Sequence, residues 1–278
     1  MTAAGRLWQC APAWRGTVLL AALLTALVVA YPPAPPPPAL SGGSYAPPPA
    51  AVEPFPNAPV HSGSIGFGGV MVPLPAGGWR QLHGFHGGTG KGQFGGVTLL
   101  RFQGRRLTGA IMIQGSTETD PVGEPQKPVS CVSAGFPALR HVVEGPHVVC
   151  ILARPYAFAQ NWAPIPPVAG STADLLRTTI ATLQKEGIAL PPVVLAVNTS
   201  FYDGPRLLQA VYHFVPTVPD PTPRAIDWTD SARLNADPAR RAYMERATEW
   251  ARRWGDLVAR AYGGAREAIP PDLAAGPQ

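Results

Sequence analysis

The chain has 278 residues, 46% of them hydrophobic, which is enough for one domain with a sizeable core. Only 14% are charged, against about 25% in ordinary globular proteins. With 22 basic and 17 acidic residues the net charge is +5, too weak a field for a strongly basic nucleic-acid binder, and no nucleic acid is expected as a partner.

The N-terminus carries Arg6 and Arg15, then an unbroken apolar run from Thr17 to Ala30. A basic start, an apolar middle and a small-residue end (Val28-Val29-Ala30) compose an export element over residues 1–31, either a signal peptide cut before Tyr31 or a single-pass anchor. A helix of this length covers only about 21 Å of a hydrocarbon core of about 30 Å, although Trp14 and Tyr31 suit the two interfaces of an anchor. Both readings put the rest of the chain outside the cytoplasm. The expected location is the inner membrane with the domain on the periplasmic side, or, after cleavage near Ala30, the periplasm or the medium. The membrane is then a partner through the N-terminal segment if that segment is retained. Cys10 precedes the apolar run and so cannot serve as a lipoprotein cysteine.

Between Pro32 and Pro59 there are 12 prolines in 28 residues. Such a stretch lacks backbone donors and apolar bulk, so residues 32–62 read as a disordered tether of polyproline II character. The folded domain is expected over 63–265, with 266–278 as a disordered tail. No acidic residue occurs between Glu53 and Glu118, whereas Arg80, Lys91, Arg101, Arg105 and Arg106 do. Arg80, Lys91, Arg105 and Arg106 are therefore candidate contacts to an anionic polymer, a lipid headgroup or an envelope protein.

Strand-like runs follow one another: Ile65 to Leu74, Trp79 to His83, Val97 to Phe102, Leu107 to Gln114, Val129 to Ser133, His141 to Glu144 and His147 to Ala153. Ser171 and Asp174 form a capping pattern before Ala173, Leu176, Ile180 and Leu183, which share one helical face, and Gly187 stops that helix. Val193 to Tyr202 and Arg206 to Val215 flank Asp203-Gly204, a tight-turn signal. In the second of these strands Leu208, Ala210, Tyr212 and Phe214 alternate with Leu207, Gln209, Val211 and His213. Asp237-Pro238 opens a last helix whose aromatic seam is Tyr243, Ala247, Trp250, Trp254, Leu257 and Ala261. Strands dominate, helices come late and βα alternation is absent. The fold class is α+β: a mostly antiparallel sheet covered by two helices, at about 171–187 and 237–262. The second arrangement is a curved sheet gripping the last helix around a ligand cavity.

Chemistry is sparse. Gly84 to Gly96 (GFHGGTGKGQFGG) departs from a phosphate loop at Phe85 and Gly92 and leads into a strand, so it reads as a hairpin loop, a lid or a partner contact. His83, His86, His141 and His147 lack a rigid three-ligand spacing, and neither a metal nor a cofactor is expected. No G-x-S-x-G is present; Ser130, Ser133 and Ser200 have no evident base, and the Asp227/Asp230 pair suits turn chemistry. Cys131 and Cys150, in an exported chain, are expected to form a structural disulfide. Trp162, in a proline-rich loop, is the candidate exposed aromatic contact. The expected function is a membrane-tethered, non-catalytic domain for binding or assembly in the cell envelope. The alternatives are an envelope hydrolase or transferase with the glycine-rich segment as a lid over His83, His86 or His141, and a cavity binder of a lipid or other apolar ligand.

Overall fold

The computed structural model describes residues 54–87, 94–116, 131, 136–144, 147–158, 172–203, 206–218 and 224–277. The apolar run, most of the proline-rich tract, Lys91 and Trp162 lie outside them. The described part is mixed α+β, with a large antiparallel sheet and few helices. Its strands are β1 (Val60–His61), β4 (Trp79–Gly87), β5 (Phe94–Gln103), β6 (Arg106–Ser116), β7 (Arg140–Glu144), β8 (His147–Tyr156), β9 (Val194–Asp203) and β10 (Leu207–Phe214). They are ordered β1-β4-β5-β6-β10-β9-β8-β7. Two meanders, β4-β5-β6 and β8-β9-β10, therefore meet where β6 pairs with β10, from Leu208↔Gly115 to Phe214↔Gly109. A separate ribbon, β2 (Ser64–Phe67) and β3 (Val70–Pro73), stands where the sequence suggests one strand from Ile65 to Leu74. Gly68 and Gly69, at φ 55° and 76°, turn the chain back in the left-handed region that glycine adopts without a Cβ clash.

Successive strand side chains face opposite ways, and here both faces are covered, so the sheet carries two cores. One holds Leu99, Ile111, Ile113, Val197, Leu208, Ala210, Tyr212 and Phe214, packed under helix α4 (Pro238–Tyr262) and the β2–β3 ribbon. The other holds Leu100, Ala110, Met112 and Val194 under helix α1 (Thr172–Lys185). The two long helices thus sit on opposite faces of the sheet.

Helix α4 starts where its sequence dictates. The Asp237 carboxylate accepts from the backbone N–H groups of Ala239 and Arg240, and Pro238 takes the first turn, where its missing N–H costs nothing. Over about 37 Å it lays Tyr243, Ala247, Trp250, Trp254 and Leu257 onto the sheet. Trp250 and Trp254 stack at 5.0 Å, while Phe214 meets Trp250 edge-on at 5.0 Å and Tyr212 meets Trp254 edge-on at 5.5 Å. Such aromatic pairs contribute about 0.5–1.5 kcal/mol each beyond the area they bury. At Gly255 an added Cβ would run into the side chain of Ile151, so the helix approaches β8 closely only because that position is glycine. Ahead of α4, helices α2 (Ala225–Thr229) and α3 (Ser231–Ala236) are clipped by Asp227, whose carboxylate takes Arg224 at 2.7 Å and Arg233 at 3.4 Å.

Two expected boundaries are corrected. Residues 266–277 are not a structureless tail. Helix α5 (Pro271–Ala274) buries Leu273, whose carbonyl accepts from Trp250 Nε1 at 2.9 Å, and Ala274 O accepts from Ala76 N at 2.7 Å. At the other end, β1 lies within the residues expected to be tether and pairs with β4, because Pro59 O accepts from Gln81 N and draws the chain onto the sheet edge.

On the second face, α1 ends at Gly187 (φ 65°), after which Ala189 bridges Arg106 in parallel and exchanges backbone hydrogen bonds with Arg105 and Leu107. Replacing Trp254, which is fully buried, by Ala removes the centre of the α4 seam. The expected cost is about 3–5 kcal/mol, read as a lower urea midpoint at unchanged slope.

Candidate functional site

Strand register fixes which side chains share a row on the α1 face. One row runs Gly96 (β5), Gln114 (β6), Gln209 (β10), Ser200 (β9), Cys150 (β8) and His141 (β7). The next row, closer to α1, runs Thr98, Met112, Val211, Asn198 and Leu152. The α1 core reaches Met112 but stops short of the first row. There the side chains become polar and neutral and bond to one another. Gln114 Nε2 donates to Gln209 Oε1, Gln209 Nε2 donates to Asn198 Oδ1 at 3.3 Å, and Ser200 Oγ donates to the same Asn198 oxygen at 3.1 Å. Ser116 Oγ accepts from Leu207 N at 2.9 Å one step further out.

The amide row lies on the α1 face of the sheet, between α1 and the disulfide. On one side stands α1. On the other, Cys131 is joined to Cys150 by a disulfide, with Cα atoms 5.5 Å apart, which holds residue 131 over β8. Val148, Ser200 and Tyr202 beside it are buried, while Gln114, Asn198 and Gln209 are partly exposed. Buried polar groups normally find partners. Here Gln114 Oε1 and Thr98 Oγ1 are buried with none, so the row is not internally satisfied.

Beneath α1, His213 sits in the row of Ala110 and Ala196, 4% exposed and edge-on to Phe158 at 5.8 Å. Burial pushes its imidazole down to about 4, Arg154 adds to this, and a backbone hydrogen bond to Ala110 pulls the other way. It is a neutral core histidine.

The sequence-derived candidates distribute as follows. Arg80 is half-buried near the start of β4 and donates to Phe55 O at 3.4 Å. Arg105 and Arg106 occupy the β5–β6 connection, where Arg105 donates to Glu186 O at the end of α1 and burial holds Arg106 below the ordinary arginine pKa. Arg105 and Arg106 lie at the end of the sheet opposite the amide row, Arg80 lies in the row of Leu100 and Ala110, and Arg101 is turned to the other face, its guanidinium 4.9 Å from the Trp79 ring centre. The run Gly84–Gly96 is less of a loop than expected: β4 continues to Gly87 and β5 begins at Phe94, because pairing with β6 extends to Phe94↔Ser116.

His83 and His141 do not lie on neighbouring strands. His83 is on β4 and His141 on β7, six strand spacings apart, roughly 29 Å along the sheet. His83 instead meets Thr182 Oγ1 of α1 at 3.3 Å, and burial holds its pKa below the ordinary value. Among the described residues no cluster of His, Cys, Asp and Glu could hold a metal ion, and no helix is long and apolar enough to cross a membrane. On the α4 face, a cleft of about 590 Å³ is lined by Met71, Pro73, Leu257, Ala261 and Ile269, with Arg260 at its edge bonded through Nε to both Glu267 oxygens at 2.9 Å.

Sequence reasoning passed over Gln114, Asn198 and Gln209. Gln209 stands between Leu207 and Val211 on its strand face, and that is the available signal. Compared with protein-family models, curated proteins and solved structures, the chain matches none.

His213 sets a pH dependence. Its folded pKa lies below the unfolded value, so between pH 6.5 and about 4 the unfolded chain binds a proton that the native chain refuses, and stability falls as pH drops. From pH 7.5 to 4.5 the wild type is expected to lose about 2–3 kcal/mol more than His213→Leu, measured by urea unfolding at each pH.

Proposed function

We propose that this chain is a non-catalytic domain, exported and held to the membrane by its N-terminal segment, that acts in binding or assembly in the cell envelope. The Cys131–Cys150 disulfide carries this reading, because such a bond persists in oxidising compartments and agrees with the export element of residues 1–31.

Two measurements test it. A reporter active only after disulfide formation, fused to the C-terminus, is expected to be active in cells; activity confined to a cytosol-active reporter contradicts export. In purified protein, Cys131→Ser is expected to lower stability by about 3 kcal/mol under non-reducing conditions and to leave it unchanged relative to reduced wild type. Equal stability of oxidised wild type and Cys131→Ser contradicts a structural bridge.

A further inference from the structure

We infer that the cleft on the α4 face binds a single-chain amphiphile with one negative charge, a fatty-acid-like carboxylate; this names a ligand site for the binding role proposed above and rests on that role only for its cellular setting. The cleft has a volume of about 590 Å³, within the range of small-molecule sites, and every residue lining it is described. Three separate elements build its walls. Strand β3 supplies Met71 and Pro73, the last turns of α4 supply Leu257 and Ala261, and the segment after α4 supplies Ile269. None of these side chains donates a hydrogen bond, and only the Met71 thioether accepts, weakly. A peptide laid here would leave its backbone N–H and C=O groups without partners, whereas a hydrocarbon chain brings none to satisfy.

Met71 is 41% exposed, while Val70 and Val72 on either side of it are buried. Its partner on β2 is Gly66, and the Met71 sulfur lies 3.7 Å from where a Cβ on that glycine would stand. The thioether thus lies across the ribbon at the mouth of the cleft, where an adaptable side chain gains burial from an apolar ligand. Backbone bonds pin both sides. Leu74 N donates to Gly63 O at 2.8 Å beside the ribbon. Gly264, at φ 93°, turns the chain back along α4, where Ala265 N donates to Arg260 O at 2.9 Å. The rim sets the sign of the ligand. It holds two guanidiniums, Arg260 and Arg266, against one carboxylate, Glu267, which leaves one positive charge over. Glu267 engages only Nε of Arg260, and Arg266 makes no hydrogen bond or ion pair among the described residues. Both cations are exposed, so their pull on an anion is modest and the apolar walls supply most of the affinity.

The test uses the full chain with its disulfide intact, held in phosphatidylcholine nanodiscs and carrying isotope-labelled methionine methyls. Of the four methionines, Met112 and Met244 are buried, so Met71, identified by its loss in Met71→Leu, reports on the cleft. Decanoate is expected to shift the Met71 signal saturably and leave Met112 in place, with affinity falling about threefold per methylene removed through octanoate to hexanoate. Decyltrimethylammonium is expected to bind about tenfold more weakly than decanoate. Arg266→Gln should weaken decanoate about threefold and leave decanol unchanged. Ala261→Glu should weaken both; if it fails to fold, Ala268→Glu, at an exposed lining position, is expected to weaken decanoate more than decanol. No saturable Met71 shift with decanoate, an affinity independent of chain length, or equal binding of the cation each overturns the proposal. Dimers in sedimentation that Ala261→Glu breaks, with no decanoate effect on Met71, would give the cleft to a second copy and overturn it. A Met71 shift caused by phosphatidylglycerol nanodiscs but not by decanoate would make it a membrane contact and overturn it too. Decanoate binding by a chain whose reporter shows no export would remove the envelope setting and leave the site standing, so the two failures are distinguishable.

Discussion

The pairing of β6 with β10 is the constraint on which the rest of this structure depends. It joins two meanders that are otherwise separate in sequence, and it does so at close range. At Gly115 an added Cβ would collide with the carbonyl oxygen of Leu207, and at Gly109 it would lie 3.2 Å from His213 O and 3.1 Å from the Trp79 ring. Glycine at these two positions lets the central strands approach while Ala110 to Ile113 between them carry the side chains of both cores. Neither core closes without this joint. Tyr212 reaches Trp254 on one face while His213, the next residue, reaches Phe158 on the other.

Antiparallel sheets commonly bury one face and wet the other. Here α4, with its tryptophan seam, and the β2–β3 ribbon cover one face, whereas α1, at 14 residues, packs on β4, β5 and β6 of the other. Along this face the side chains change from Leu100, Ala110 and Met112 to Gln114, Gln209 and Asn198, which bond to one another across three strands. The disulfide holds residue 131 over β8 on the same face.

Local chemistry made much of the fold legible. The alternation from Leu207 to Phe214 predicts the observed burial of Leu208, Ala210, Tyr212 and Phe214, and Asp237-Pro238 marks the start of α4 within a residue. Asp203 works in its turn as expected, its carboxylate accepting from Arg206 N at 3.3 Å, although the tie to the end of α4 through Tyr262 and Arg206 O is a tertiary addition. What stayed hidden depends on contacts distant in the chain. The tail was misjudged because Ala and Pro content says nothing of Trp250 waiting to bind the Leu273 carbonyl. The helices' assignment to opposite faces follows from strand order, which periodicity does not encode. The amide row joins Gln114 to Gln209 across 95 positions of sequence, so each looks alone like an ordinary polar strand residue. His83 and His141 looked equally able to converge until the strand order set them at distant positions in the sheet.

Native-state hydrogen exchange addresses the central joint directly. If β6 and β10 hold both layers, the amides of Ile111, Ile113, Ala210 and Tyr212 should exchange only through global unfolding, with protection equal to the full stability of the domain. Faster exchange there than in α4 or the β8–β9 pair would mean that one meander opens without the other, and the joint would not be what holds the fold together.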